Sequence, residues 1–259
     1  MSEYQYFEFQ AIDRPLSKKE MAELRSYSTR ARITPTSFVN DYSWGDFKGD
    51  ADVWMDKYFD AFLYVANWGT HILKLRLPDK QLSAKIARLY AVGERGAVRV
   101  KNGNVIFSFH SENEDGDDSV EIEGLLASLI SVRSELARGD LRALYLGWLL
   151  CAQSGELDPA DLSPPVPPGL TKLSASLTSL AEFLRVDRTL VRIAAKPTTK
   201  SRTVADLMRD LEGVLRKQSR AANVTQSEVP RSQGIAPESA RSPRARAIVG
   251  IGSSFRKRR

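Results

Sequence analysis

The chain has 259 residues, of which 42% are hydrophobic, with 38 Lys and Arg against 32 Asp and Glu. Its single Cys excludes an intramolecular disulfide framework and a multi-cysteine zinc site, and favours a reducing, cytoplasmic location. The longest apolar run, Ala143 to Ala152, is about half of the roughly 20 residues that cross a bilayer, and residues 1–10 lack a secretory signal. No membrane span is therefore expected.

The positive charge is confined to the end of the chain. Residues 1–220 hold 30 basic and 30 acidic side chains, whereas residues 221–259 hold 8 basic and 2 acidic ones. The composition of this last segment, rich in Ser, Pro, Gly and Arg, predicts disorder. A cationic arm binds phosphate backbones or anionic lipid; the alternatives are a solubilising tail and a peptide docked on a partner. The predicted anion-binding residues of the arm are Arg244, Arg246, Arg256, Lys257, Arg258 and Arg259.

The first elements along the chain are a strand and a helix. Residues 4–9 are aromatic enough for a strand, and Ser17 and Glu20 stand at capping-box spacing ahead of a helix. Residues 30–40 favour an extended segment, part of which Pro35 is expected to place at a sheet edge or a bend, because proline cannot donate to a strand ladder.

A longer helix is expected next. Asp50 is predicted to cap a helix that continues to about Asn67 and is closed by Gly69. One narrow stripe of this helix is expected to face water, and its carboxylates are Asp52, Asp56 and Asp60.

Two further segments predict a half-buried sheet. Residues 70–77 alternate polar and apolar, and two similar runs flank Asn102-Gly103, which is typical of a type I′ hairpin turn. A basic sheet face with Tyr4 or Tyr6 nearby would suit single-stranded nucleic acid, whereas a solvated face is the alternative. The predicted anion-binding residues of this face are Lys74, Arg76, Arg99 and Lys101.

The second half predicts helices interrupted by a proline-rich segment. Helical spacing resumes after residue 124 and reaches Gln153, residues 158–169 carry five of the twelve prolines, and apolar stripes recur between residues 170 and 215. The predicted class is α+β, with a small sheet, a hairpin and packed helices. Its segments are an α+β domain over 1–157, a Pro-rich linker over 158–169, a helical region over 170–220 and a disordered basic tail over 221–259.

The sequence lacks the P-loop, Gly-x-Gly-x-x-Gly, Gly-x-Ser-x-Gly and His-Glu-x-x-His motifs. The catalytic candidates are Asp46 and Asp50, whose Gly-containing loop could bring two carboxylates to one cation or substrate hydroxyl, and His110 at the end of the hairpin. The alternative is that Asp50 caps a helix and Asp46 caps a turn. His71 is predicted to be a core histidine, and Cys151 a buried hydrophobe without a lowered pKa.

The acidic segment after the hairpin does not predict a calcium site. If Gly116 is the sixth residue of a calcium loop, Ser111 and Ile122 occupy positions one and twelve, where carboxylate ligands are required. A solvated acidic loop is favoured, with a cation site or a docking spot for a basic partner as alternatives. No metal and no cofactor is predicted.

Five runs of residues resemble a bacterial protein family for which no activity is known. The likeness covers roughly residues 1–195 and implies a bacterial origin, without catalytic residues to carry over. The runs are Glu8 to Pro15, Ala31 to Phe38, Trp44 to Asp50, Asn67 to Thr70 and Pro164 to Leu170.

Three alternative hypotheses for the function follow from these observations. The first is a non-enzymatic bacterial interaction protein or complex subunit, whose basic tail contacts an anionic partner. The second is a nucleic-acid-binding protein that uses the basic sheet face and the tail, and the third is an enzyme of unfamiliar type that uses the Asp-rich loop. The missing motifs and the position of the charge favour the first, so a protein partner is expected, and nucleic acid bound through the tail is the alternative.

Overall fold

The structure, a computed structural model, describes residues 3–113 and 122–227, with side chains up to residue 220. It confirms the α+β class. Seven antiparallel strands form one sheet in the order β2-β3-β1-β4-β5-β7-β6. The strands are β1 Gln5–Gln10, β2 Arg32–Thr34, β3 Ser37–Tyr42, β4 Ala61–Ala66, β5 His71–Pro78, β6 Gly96–Lys101 and β7 Asn104–Ser111.

The helices connect and cover these strands. Within the two described ranges, none is long and apolar enough to cross a membrane. They are α1 Lys18–Arg25, α2 Ala51–Lys57, α3 Ala84–Ala87, α4 Leu125–Leu129, α5 Ser131–Ala137, α6 Arg142–Gln153, α7 Ala175–Phe183, α8 Arg188–Ala194 and α9 Val204–Ser227.

Each face of the sheet has its own hydrophobic core. The larger core joins the alternate residues Leu73, Leu75 and Leu77 of β5 to helices α4 to α8, and Trp148 lies within it. The smaller core, on the opposite face, is aromatic, and it packs β1 and β3 against α1 and α2 around Trp54. Successive side chains of a strand point to opposite faces, so the sheet carries one set of apolar side chains on each side.

Local sequence signals identified several elements correctly. The Ser17 capping box is present at the start of α1, with its hydroxyl and the Glu20 carboxylate each accepting a backbone N–H of the other residue. The Asn102-Gly103 turn joins β6 to β7, and both residues have positive φ. Both signals are local, because the residues recognised in the sequence are the same ones that form the capping hydrogen bonds and the turn.

The prediction of a helix from Asp50 to about Asn67 is wrong beyond Lys57. Residues 61–66 form β4, which is hydrogen-bonded to β1 on one side and to β5 on the other. The aromatic and β-branched side chains of AFLYVA favour a strand, and the period of a short apolar run does not separate a buried strand from a helix. Gly69, with φ +96°, therefore turns the chain between two strands instead of ending a helix.

Asp60, predicted to face water, is instead fully buried. Its Oδ2 accepts the backbone N–H groups of Ile12 and Asp13 at 2.6 and 2.9 Å. Its Oδ1 accepts from Nε and Nη2 of Arg76 at 3.1 and 2.7 Å. This buried carboxylate therefore ties the end of β1 to β5.

The proline-rich segment packs against the body of the molecule. Tyr90 donates its hydroxyl hydrogen to the carbonyl of Pro165 at 2.9 Å, and the backbone N–H of Ser163 donates to the carbonyl of Arg202 at 2.8 Å. One core contains buried residues from both sides of this segment. The boundaries at 157, 169 and 220 stay predictions.

The chain divides into two units between residues 218 and 219. The sheet and helices α1 to α8 belong to the first unit. The disordered tail was predicted for 221–259; α9 continues to Ser227, and residues 228–259 lie outside the described residues.

Replacing Asp60 by Ala is expected to lower the free energy of unfolding by about 3–5 kcal/mol, because Arg76 is left as a buried charge without its carboxylate. Urea denaturation followed by circular dichroism measures the change. In the double variant Asp60→Ala/Arg76→Met, the cost should be smaller than the sum of the two single costs. Additive costs would show that the two side chains do not act as a pair.

Candidate functional site

The sheet brings the predicted basic residues to one face. Arg76 of β5 and Arg99 of β6 both pair with Ile106 of β7, which lies between them. Lys74 and Lys101 have the same strand parity and share this face. Tyr6 pairs with Val65 and packs against the larger core on the opposite face, so the expectation that it lies beside these cations is wrong.

Carboxylates of α2 lie directly opposite these cations. Lys74 Nζ is 2.6 Å from Asp52 Oδ1. Arg99 Nη1 donates to both carboxylate oxygens of Asp56, at 2.7 and 3.0 Å, and Lys101 Nζ is 3.8 Å from Asp56. The acidic stripe, which was predicted to face water, therefore faces the basic strands.

The pKa of Asp52 reflects this arrangement. Burial opposes its ionisation, but the hydrogen bond and charge of Lys74 and the charge of Arg99 outweigh burial and hold the pKa of Asp52 below its usual value. Lys74 and Arg76 are only 13% exposed as side chains. The positive charge of the face is thus matched by acids of the same chain. The assignment of these four cations as anion-binding residues stays a prediction.

The Asp-rich loop uses one of its carboxylates to begin α2. Asp50 Oδ1 accepts the N–H groups of Asp52 and Val53 at 2.8 and 3.1 Å, which is the geometry of a helix N-cap. Asp46 Oδ1 accepts the N–H of Phe47 at 2.7 Å, and its side chain lines an open groove. In the part of the chain that the structure describes, no group of three His, Cys, Asp or Glu could hold a metal ion.

This groove, which we call the aromatic groove, has a volume of about 900 Å³ and opens on the face that carries the smaller core. Its accessible rings are Phe47, Tyr64 and Trp68, of which Trp68 is 43% exposed. Phe7 lies beneath, with its ring centroid 4.9 Å from Phe47 and 4.8 Å from Tyr64.

The polar side chains that line the aromatic groove are either acidic or already held by an ion pair or hydrogen bond within the chain. Glu3 and Asp46 are exposed at the groove, and Lys74, which also lines it, is paired with Asp52. Burial and the charge of Asp46 raise the pKa of Tyr64 to about 12, so this hydroxyl stays protonated at neutral pH. It donates to Gln5 Oε1 at 3.0 Å. The groove therefore offers aromatic surface beside negative charge.

His110 lies on the same sheet face, paired with Ile72 of β5. Its Nε2 is 3.2 Å from Glu112 Oε1. Burial lowers the pKa of His110, and Glu112 partly opposes this shift. The ring is thus predominantly neutral at neutral pH.

The other singled-out side chains have structural surroundings. The ring of His71 stacks on Phe183, with its Nδ1 3.0 Å from the carbonyl oxygen of Phe183. Cys151 is buried, and burial together with the nearby Glu156 raises the pKa of its thiol to about 12. A protonated thiol at neutral pH is a poor nucleophile.

The aromatic groove was missed in the sequence because the helix expected to continue to about Asn67 includes Tyr64 and leaves Trp68 just after its end. Once residues 61–66 and 70–77 are seen as adjacent strands, the aromatic content of the segment between residues 59 and 68 is the signal that points to this site.

Comparison of the chain with protein-family models, with curated proteins and with solved structures finds no match.

The pKa of His110, measured by NMR titration of its imidazole Cε1–H resonance, is expected to lie below about 6.5, the usual value for histidine. Because the folded pKa is lowered, the contribution of His110 to stability is complete above about pH 6.5 and is lost as the pH falls through the folded value. Glu112→Gln should lower the pKa further, since that carboxylate favours the protonated ring. An unchanged or higher pKa in this variant would contradict the assigned role of Glu112.

Proposed function

We propose that this chain is a non-enzymatic interaction protein of the bacterial cytoplasm that contacts an anionic partner through its C-terminal basic segment. The segment's cations are Arg244, Arg246, Arg256, Lys257, Arg258 and Arg259, and they lie outside the described residues.

The pairing of the sheet cations with α2 is the observation that carries this proposal. A polyanion that binds to Lys74 or Arg99 competes with the carboxylates of Asp52 and Asp56, which lie at 2.6 and 2.7 Å from these cations. α2 is not free to move away, because Trp54 and Met55 anchor it in the smaller core. Phosphate groups gain little at cations that already have carboxylate partners.

The charge distribution supports the same conclusion. Acidic and basic side chains balance in residues 1–220, while the last 39 residues carry the whole excess of positive charge. Counterion release scales with the number of phosphates that protein cations neutralise, so the segment that carries the excess of positive charge is the favoured contact.

The enzymatic alternative has less support. Asp50 is occupied as the cap of α2, and Asp46 accepts a hydrogen bond from the adjacent N–H. Nucleic acid remains one class of anionic partner for the basic segment, bound by phosphate contacts without base readout.

A direct test uses fluorescence anisotropy with a labelled single-stranded DNA as a polyanion probe. In the full chain, log K is expected to fall with log salt concentration with a slope of about −4 to −6, given about 0.7 per neutralised phosphate. A full-length variant in which the six cations named above become Gln should bind at least about tenfold more weakly, with a slope smaller by about 4.

The matched control is Arg99→Gln, which removes a cation of the sheet face and should change the dissociation constant by less than about twofold. If this control weakens binding as strongly as the variant with six Gln substitutions does, the sheet face is the contact and the proposal is wrong.

A further inference from the structure

Residues 163–168 form a proline-rich segment at the surface of the molecule. Ser163, Pro164, Val166 and Pro167 each precede a proline, which confines them to extended or polyproline II backbone, and proline itself fixes φ near −65°. Accordingly, residues 163–167 belong to neither a helix nor a strand. A polyproline II helix has three residues per turn, so every third side chain lies on the same edge.

The burial of this segment follows that period of three. Pro167 is buried and Pro164 is partly buried, and these two form the edge that packs on the body. Leu162, Pro165 and Pro168 form the opposite edge, and all three are exposed, Leu162 by 61%. We call this exposed edge the proline ridge.

The proline ridge is fixed in place before any partner binds. The carbonyl of Pro165 accepts from Tyr90, and Leu162 forms an isolated antiparallel bridge with Thr203. The hydroxyls of Tyr145 and Ser163 are also hydrogen-bonded at 2.9 Å. An ordered ridge loses little conformational entropy on binding.

Basic side chains flank the proline ridge on both sides. Arg138 lines the depression on one side of the segment, and Lys196 and Lys200 line the depression on the other; all three are exposed. Asp140, which also lies there, is paired with Arg142 at 2.6 Å. A complementary surface for the ridge would therefore combine aromatic rings with acids, since grooves that bind polyproline are lined by aromatic side chains.

The same chain carries such a surface. The aromatic groove has Phe47, Tyr64 and Trp68 as accessible rings, with Glu3 and Asp46 beside them. The segment that carries the ridge is hydrogen-bonded to Tyr90 and Tyr145 of the larger core, whereas the groove opens on the opposite face of the sheet. Both surfaces lie within residues 1–218, and a copy cannot fill its own groove with its own ridge.

We propose that the proline ridge of one copy binds in the aromatic groove of a second copy, so that the protein self-associates head to tail. The contact is heterologous, because two different surfaces meet, and it leaves a free ridge at one end and a free groove at the other. This self-association goes beyond the anion-binding function proposed above and uses none of the residues of the basic segment.

Sedimentation equilibrium of the full chain tests the proposal. The weight-average mass is expected to rise above that of one chain between about 10 µM and about 1 mM, because one small interface gives weak association. Trp68→Ala and Pro165→Ala/Pro168→Ala should each weaken association by about tenfold or more, since aromatic anchors dominate such contacts. Pro159→Ala, an exposed proline outside the ridge, is the matched control and should behave as the unaltered chain.

A mixing experiment separates this contact from any symmetric one. The Trp68→Ala chain keeps its ridge and the Pro165→Ala/Pro168→Ala chain keeps its groove, so an equimolar mixture should form a dimer of one copy of each. Circular dichroism confirms that both variants are folded. A full chain that stays monomeric up to about 1 mM overturns the proposal. Association that survives both substitutions, or a mixture of the two variants that stays monomeric, overturns it as well.

Discussion

Asp60 and Arg76 form an ion pair in the interior, and four separate stretches of the chain meet at it. Asp60 accepts backbone hydrogen bonds from residues 12 and 13, just after β1, and Arg76 donates to the carbonyls of Met55 and Asp56 at the end of α2. Arg133 of α5 extends the network by donating to the carbonyl of Arg76. Neither partner can be lost alone without leaving a buried charge, so these contacts fix how α2 lies on the sheet.

This placement of α2 governs what the sheet can do. Once the helix lies over β5, β7 and β6, its carboxylates meet the cations of those strands, and Ile106 is enclosed between them. A surface that looks suited to phosphate in the sequence is thereby used for internal pairing. In the proposed function, the charges that hold the fold and the charges that contact a partner belong to different parts of the chain.

The sequence predicted those elements whose signals lie within a few residues. The Ser17 box and the Asn102-Gly103 turn depend on contacts between near neighbours. The strand at residues 61–66 was missed because its hydrogen-bond partners lie about 50 residues earlier and about 10 residues later, which no local period can show.

The candidate sites were predictable to the same limited extent. The spacing of Asp52 and Asp56 was visible, as was the alternation of Lys74 and Arg76, but only the fold places the two sets face to face. Similarly, the prolines of residues 163–168 predicted an extended segment, whereas its exposed edge depends on how Tyr90 and Tyr145 hold it. Contacts between residues distant in sequence determine whether the side chains of such a pattern are paired inside the molecule or exposed to a partner.

Each of the two cores contains one buried tryptophan, whose fluorescence can be measured in solution. Trp54 is buried in the aromatic core on one side of the sheet, and Trp148 is buried in the leucine-rich core on the other. Indole emission depends on the local environment, so a variant that keeps only Trp54 or only Trp148 of the four tryptophans would report the loosening of one layer. Each side of the sheet thus has a buried tryptophan of its own from which such a single-tryptophan variant can be made.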